Sequence, residues 1–279
     1  MWPLSWVHPE DENTINIEHQ FYFGPSLLVS PVVAENSTTA TFYVPNEIYY
    51  DFFTLSPVQG EGAEITVEDV GYDTMPLHIR GGSILPLRFG DANTTEQNRE
   101  LPFHLVIAPN STDQASGYLR LDDGVSLDPG DTTSDIMMMY GNNTLEVSGS
   151  FGYNEGNIID AIVFAGQTEN KTISVNGEPA ANIVYDSINQ TLTAWGLNVP
   201  FGEMTITLGV AQEGNGSTSG TTSEASTPSE TASNAASSIT GSVTTQAASG
   251  VASASAAVIS SVSEAVASES VSATAAVSA

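Results

Sequence analysis

The densest set of groups able to do chemistry in this 279-residue sequence is acidic: Asp122-Asp123-Gly124, followed closely by Asp128, Asp131 and Asp135. Oxygen ligands in such a run could hold Ca²⁺, but the spacing does not match an EF-hand loop, and Asp-Gly pairs are ordinary turn formers. The turn reading outweighs the metal reading, and no metal site is assigned. Paired carboxylates also suggest glycoside hydrolysis, in which one is held protonated as the acid and the other stays ionised. Composition alone nominates no such pair among 33 Asp and Glu. His8, His19, His78 and His104 lie far apart without metal-ligand spacing and read as surface or strand histidines. The chain has no cysteine, which excludes thiolate nucleophiles, Cys-ligated zinc and disulfides together. It has no Gly-x-Ser-x-Gly elbow, phosphate-binding loop or dinucleotide fingerprint, so no cofactor is implied.

Arg80-Gly81-Gly82-Ser83 is the most unusual local feature, one of four arginines beside a double glycine inside the apolar segment Met75–Leu87. Glycines there suit a bulge or a close backbone approach, and the arginine suits a partner carboxylate. A structural ion pair outweighs a catalytic role. The five Lys and Arg, against a formal charge of −28, cannot supply the cation clusters that nucleic acid or an anionic membrane requires. No run of 18 apolar residues occurs, so no membrane span is expected. Asn36, Asn93, Asn110, Asn142, Asn170, Asn189 and Asn215 each begin an Asn-x-Ser/Thr sequon and are candidate N-glycosylation sites of a secretory chain. The start, Met1-Trp2-Pro3-Leu4-Ser5-Trp6, has neither a basic n-region nor an apolar h-region. It reads as that of an incomplete chain whose signal peptide lies upstream, and the expected location is secreted or at the cell wall or cell surface.

The elements that must position these groups are short strands. In Leu101–Ala108, Phe103, Leu105 and Ile107 alternate with His104 and Val106; in Glu203–Val210, Met204, Ile206 and Leu208 alternate with Thr205 and Thr207. Similar runs are Ser26–Val33, Thr39–Val44, Ala63–Val70, Gly117–Leu121, Thr144–Ser148, Asn157–Phe164 and Lys171–Val175, the last followed by the turn pair Asn176-Gly177. This spacing predicts β-sandwich architecture. The first thirty residues differ: Ile17, Phe21 and Phe23 suggest a brief helix turning into a strand near Gly24-Pro25, the stub of a preceding domain. From Gly216 onward Ser, Thr and Ala make 44 of 64 residues, with no aromatic, Lys or Arg. Such a stretch cannot bury enough to offset its ordering entropy and reads as an O-glycosylated stalk. Val251–Ala279 is mildly apolar, but Glu264 and Glu269 interrupt it where a lipid-anchor signal needs a hydrophobic tail.

Four ordered motifs carry a resemblance. Pro3-Leu4, His8-Pro9-Glu10-Asp11 and Gln20-Phe21-Tyr22-Phe23-Gly24-Pro25-Ser26-Leu27-Leu28-Val29-Ser30-Pro31-Val32 resemble the end of the catalytic barrel of glycoside hydrolase family 31, the α-glucosidase family. Tyr49–Thr54, Met75–Leu87 and Gly117–Leu127 then follow in the family's order, so the resemblance covers about residues 1–210. Small departures are Tyr and Phe where tryptophans are usual around the Tyr-Asp pair, and Arg88 for a common glutamine. The resemblance implies a mainly β chain. Residues 1–28 would be the last strand and helix of a truncated (β/α)₈ barrel, 29–92 a proximal C-terminal β-sandwich, 93–212 a distal one, and 213–279 a disordered Ser/Thr/Ala-rich stalk. It makes Asp51, Arg80, Gly81 and Gly82 fold-defining positions at the barrel–sandwich junction, and places Asp122, Asp123 and Gly124 in the last motif.

The family's retaining mechanism uses an aspartate nucleophile in an Asp-Met-Asn-Glu-like strand end and an aspartate acid in a Gly-Asp-Asn-like loop. Neither motif occurs here. A barrel closes only with all its strands, so no catalytic residue is assigned to this chain. The expectation is the C-terminal part of a secreted α-glucosidase that removes terminal α-linked glucose from oligosaccharides, inactive alone, its α-glucan or oligosaccharide substrate reached only through the absent barrel. A second expectation is a stand-alone cell-surface carbohydrate-binding or structural protein, with Trp195 and Tyr185 as platform residues, although core placement outweighs that role for both. The first expectation predicts an apolar patch near Phe21, Phe23, Leu27 and Phe52.

Overall fold

The alternating segments become nineteen strands in a computed structural model that describes residues 1–153 and 156–210. The earlier part of the chain forms β1 (Phe21–Phe23), β2 (Leu27–Val29), β3 (Ala40–Val44), β4 (Ile48–Asp51), β5 (Pro57–Gln59), β6 (Ala63–Val67) and β7 (Leu77–Arg80). The later part forms β8 (Ser83–Arg88), β9 (Phe103–Ala108), β10 (Ala115–Leu121), β11 (Ser134–Gly141), β12 (Thr144–Phe151), β13 (Ile158–Phe164), β14 (Lys171–Val175) and β15 (Glu178–Pro179). It ends with β16 (Asn182–Asp186), β17 (Thr191–Trp195), β18 (Val199–Pro200) and β19 (Met204–Val210). Two short α-helices, α1 (Leu4–Val7) and α2 (Thr95–Glu100), and one 3₁₀ turn (Glu12–Thr14) complete the described chain, in which no helix is long and apolar enough to cross a membrane.

The first sheet is antiparallel in the order β1-β2-β7-β4-β5, and the β3–β6 pair forms a separate two-stranded sheet. Side chains alternate across a strand. Tyr49 of β4 accordingly joins Leu4, Tyr22, Leu28, Phe42 and Val44 in the core between these sheets. Tyr50, the next residue, joins Ile79 on the opposite face. That face packs on Val106, Ala108 and Ala165 of the second unit.

The second unit is one continuous sheet in the order β15-β14-β19-β12-β11-β10-β8-β9-β13-β17-β16, with β18 beside β13. A single parallel pair, Ser116 with Ser83, joins β10 to β8. The sheet folds over there, because Ile136, Met138, Leu145 and Ile206 from one half share a core with Leu105, Ile107, Ile159 and Phe164 from the other. The result is a two-layer sandwich. Strand β19 keeps the alternation its sequence predicts, with Met204, Ile206 and Leu208 buried and Thr205 and Thr207 exposed. Strand β9 does not: Phe103, Leu105 and Ile107 face the sandwich core while Val106 and Ala108 face the first sheet, so it is covered on both sides.

Two sequence divisions shift. Residues 21–28 lie in the β1–β2 hairpin of the first sheet, so the proposed barrel end keeps at most residues 1–20. The passage between sandwiches comes at Gly81-Gly82 and not at residue 92, since β8 pairs along its whole length with β9. Residues 89–102 separate strands of the same sheet and hold only the exposed helix α2, so they connect no domains. The stalk expected over 213–279, its anchor signal and Asn215 lie outside the described residues.

Candidate functional site

Arg80, at the end of β7, meets Glu47 at the entrance to β4. Its Nε donates to Oε2 at 2.5 Å and its Nη2 to Oε1 at 2.7 Å, a two-pronged pair that fits the planar guanidinium. Behind it the Tyr22 and Tyr49 hydroxyls bond each other at 2.7 Å, and His8 Nε2 reaches the Tyr22 hydroxyl at 2.8 Å. His8 Nδ1 lies 3.9 Å from Glu47. Burial holds His8 below the ordinary histidine pKa although Glu47 pulls it up. For Glu47 burial raises the pKa, but bonding and attraction by Arg80 outweigh it and the net shift is down. Burial pushes Tyr22 up to about 12 and Tyr49 higher still.

Side chains also fasten the first twenty residues, which form no strand of their own beyond a bridge from Trp2 to Tyr22. Gln20 acts as a short strand surrogate: its Oε1 accepts from Tyr43 N at 2.8 Å and its Nε2 donates to Tyr43 O at 2.8 Å. Asp11 accepts from the Tyr43 hydroxyl at 2.5 Å, which keeps its carboxyl below the usual range. An open groove of about 500 Å³ runs past His8, Asp11, Tyr43, Glu47 and Glu61. Every carboxylate with a shifted pKa among the described residues, namely Asp11, Glu47, Asp123 and Asp186, is shifted down. A glycosidase acid needs the opposite tuning. These groups hold charge for structure.

Gly81 and Gly82 serve the crossover in different ways. Gly81 N donates to Ile48 O at 2.8 Å and Gly82 N to Ala108 O at 2.7 Å, one bond into each sheet. A Cβ on Gly81 would lie 2.8 Å from Ile48 O and 3.0 Å from Pro109 O. Gly82 has φ +94°, where side chains are strained. The Tyr50 hydroxyl reaches across the same junction to Pro109 O at 2.9 Å.

Asp51 closes a turn, its Oδ1 accepting from Phe53 N at 3.0 Å, Thr54 N at 2.7 Å and the Thr54 hydroxyl at 2.9 Å. Asp122 and Asp123 do likewise: Asp122 Oδ1 accepts from Gly124 N at 2.8 Å, and Asp123 Oδ1 from Val125 N at 3.0 Å and Ser126 N at 2.9 Å. The Ser126 hydroxyl and these amides pull Asp123 down to about 2. The Arg80 side and the Asp122-Asp123-Gly124 turn form no common site; Arg99 Nη1 donates to Asp122 O at 2.6 Å.

Of the sequon asparagines, Asn36, Asn93, Asn142 and Asn170 are exposed, and Asn110 is half-buried at the start of a turn it closes by accepting from Thr112 N and Gln114 N. Asn189 is tied down, accepting from the Ser56 hydroxyl at 2.7 Å and donating to Asp186 at 2.8 Å. Of the expected apolar patch, only Phe23 is exposed, at 66%; Phe21 is half-buried, and Leu27 and Phe52 pack against the cluster between the sandwiches. Trp6, 73% exposed on α1, is a further large exposed apolar side chain that strand alternation could not find. Tyr185 packs at the edge of the second core with its hydroxyl on Gln167 O at 3.2 Å, and Trp195 is half-buried. Glu47 carried no motif, and only the fold shows it as the partner of Arg80.

Residues 1–85 match the domain described as the glycosyl hydrolase family 31 C-terminal domain. The chain is 40% identical over 187 residues to a probable alpha/beta-glucosidase of Arthroderma benhamiae, covering 66% of this chain and 22% of that protein. It is 31% identical over 204 residues to an alpha-glucosidase of Aspergillus oryzae, covering 71% of this chain and 20% of that protein. It thus spans about a fifth of the length of these curated relatives. Among solved structures, a glucosidase II alpha subunit bound to Glc1Man2 superposes with a TM-score of 0.66 at 24% identity, over 74% of this chain and 25% of that one. A Flavobacterium johnsoniae dextranase complexed with glucose gives 0.59 at 21% identity, over 74% and 28%. At such identities the likeness is one of fold.

Proposed function

The chain carries the C-terminal portion of a glycoside hydrolase family 31 protein, and on that premise we propose that it braces the catalytic barrel of a secreted α-glucosidase and has no hydrolytic activity alone. The parent enzyme would remove terminal α-linked glucose from oligosaccharides with retention. The observation that carries this reading is the 187-residue match to a protein named an alpha/beta-glucosidase, which is longer than the 85 residues of the domain match and so runs into the second sandwich. Exposed Trp6, within the segment held by side-chain bonds in place of strands, and exposed Phe23 just after it support apolar surface that another domain covers. Residues 1–20 are then the barrel's last elements. Exposed sequons at Asn36, Asn93, Asn142 and Asn170 suit a secreted or cell-wall location, and a glycosylated stalk over 213–279 completes the reading.

Intact mass after deglycosylation, on the native polypeptide that yields these peptides, tests it together with a maltose assay. A species several times larger than 29.2 kDa that hydrolyses maltose, beside an inert 279-residue chain, is the expected result. A native species near 29.2 kDa, or turnover by the chain alone, overturns it.

A further inference from the structure

The outward face of β10, β11 and β12 is hydrophilic except for one strip. Tyr118 is 58% exposed, Met137 54% and Met139 59%. Register sets Tyr118 opposite Met137 and Ser116 opposite Met139, with Ser148 and Glu146 beyond them on β12. With strands about 4.8 Å apart and alternate residues about 6.8 Å apart along each, the three side chains span the footprint of one to two sugar rings.

The strip is framed by fixed polar groups. The Tyr118 hydroxyl donates to Asp135, which stands opposite Arg120 and not opposite Tyr118. The hydroxyl is thus held by a diagonal neighbour while the side chain as a whole stays 58% exposed, so the ring is tethered and open to solvent. Arg120 Nη1 donates to both Asp135 oxygens, at 3.0 and 3.3 Å, and its other N–H groups take no part in these bonds. Asp135 and Arg120 cancel in charge, and the acidic chain around them repels anionic polymers.

We propose that this face binds a neutral glucose oligosaccharide. The apolar C–H face of a pyranose lies on the Tyr118 ring and the methionine thioethers, and its hydroxyls bond Asp135 and the outer N–H groups of Arg120. The platform therefore lies on Tyr118, away from Trp195 and Tyr185. Glucose as the sugar rests on the hydrolase reading, but the two fail separately, because maltose turnover by the larger polypeptide does not involve this face.

The test is methyl NMR of the full chain titrated with maltohexaose and, separately, cellohexaose. The Met137 and Met139 ε-methyl signals report the face, while fully buried Met138 and nearly buried Met204 serve as internal references. Saturable shifts of Met137 and Met139 with either sugar are expected, with affinity falling about tenfold in Tyr118→Ala and far less in Tyr118→Phe, which keeps the ring. Both substitutions fall on an exposed side chain, and an unchanged melting temperature verifies folding. The proposal is overturned by no shift with either sugar, by shifts confined to other methionines, or by binding that survives Tyr118→Ala. Concentration-dependent broadening without sugar would overturn it too, by making the strip a contact between copies of the chain.

Discussion

Replacing Gly81 with alanine places a methyl group between the two sandwiches at their point of passage. The new carbon would lie 2.5 Å from Ile48 Cγ2, 2.8 Å from Ile48 O and 3.0 Å from Pro109 O. The Ile48 side chain is β-branched and turns reluctantly, and neither carbonyl is free to retreat. Ile48 O already accepts the Gly81 amide at 2.8 Å, and Pro109 O accepts the Tyr50 hydroxyl at 2.9 Å. Overpacking of this kind costs about 1–3 kcal/mol, and relief by displacing Pro109 sacrifices a buried hydrogen bond worth about 1 kcal/mol. The total of about 2–4 kcal/mol corresponds to a melting temperature lower by about 4–16 °C for a folded body of this size. Scanning calorimetry of the full chain measures it, with Gly202→Ala as the comparison, since a Cβ there meets nothing within 4 Å. The comparison variant is expected to be neutral or slightly stabilised through its stiffer unfolded state. Gly81→Ala melting within about 1 °C of the unsubstituted chain would refute the close-approach argument.

Tyr50→Phe should lower stability by about 1–2 kcal/mol, seen as a lower urea midpoint with unchanged slope, because Pro109 O loses its buried partner. A double-mutant cycle on Arg80→Met and Glu47→Gln should give a coupling of about 1 kcal/mol, modest because both side chains are partly exposed; zero coupling would make the pair decorative. Stability should fall as pH drops below 6.5, since burial holds His8, His78 and His104 below that value and the unfolded chain binds protons the folded one refuses. Urea midpoints at pH 7.5 and 5.5 check this, and a flat profile contradicts it; His78→Gln should reduce the slope. Peptide mapping of chain made in a secretory host should find Asn36, Asn93, Asn142 and Asn170 occupied and Asn189 largely bare, because Asn189 bonds both Ser56 and Asp186.

Alternation in Glu203–Val210 announced a strand with one wet face, and β19 is that strand. The same pattern in Leu101–Ala108 concealed a second covered face, since Val106 is as apolar as its neighbours and sequence carries no sign of what lies opposite. Arg80-Gly81-Gly82 was legible as a close approach with an ion pair, but its partner Glu47 lies 33 residues away in a turn without a motif. The division at residue 92 followed the family resemblance, whereas the hydrogen bonding passes from one sheet to the next through Gly81 and Gly82. Met137-Met138-Met139 likewise looks uniform, and only the register separates the buried middle residue from its exposed neighbours.

The handover at Gly81-Gly82 also sets a schedule. Ile79 and Tyr50 find their partners on Val106, Ala108 and Ala165, and the last of these emerges from the ribosome roughly 85 residues after Ile79, on the order of 4–17 s later at about 5–20 residues per second. During that interval the first sheet waits with one greasy face uncovered. Slow codons or a stalled ribosome between Leu87 and Ala165 would prolong the wait, so the junction is where synthesis speed and chaperone attendance bear on yield.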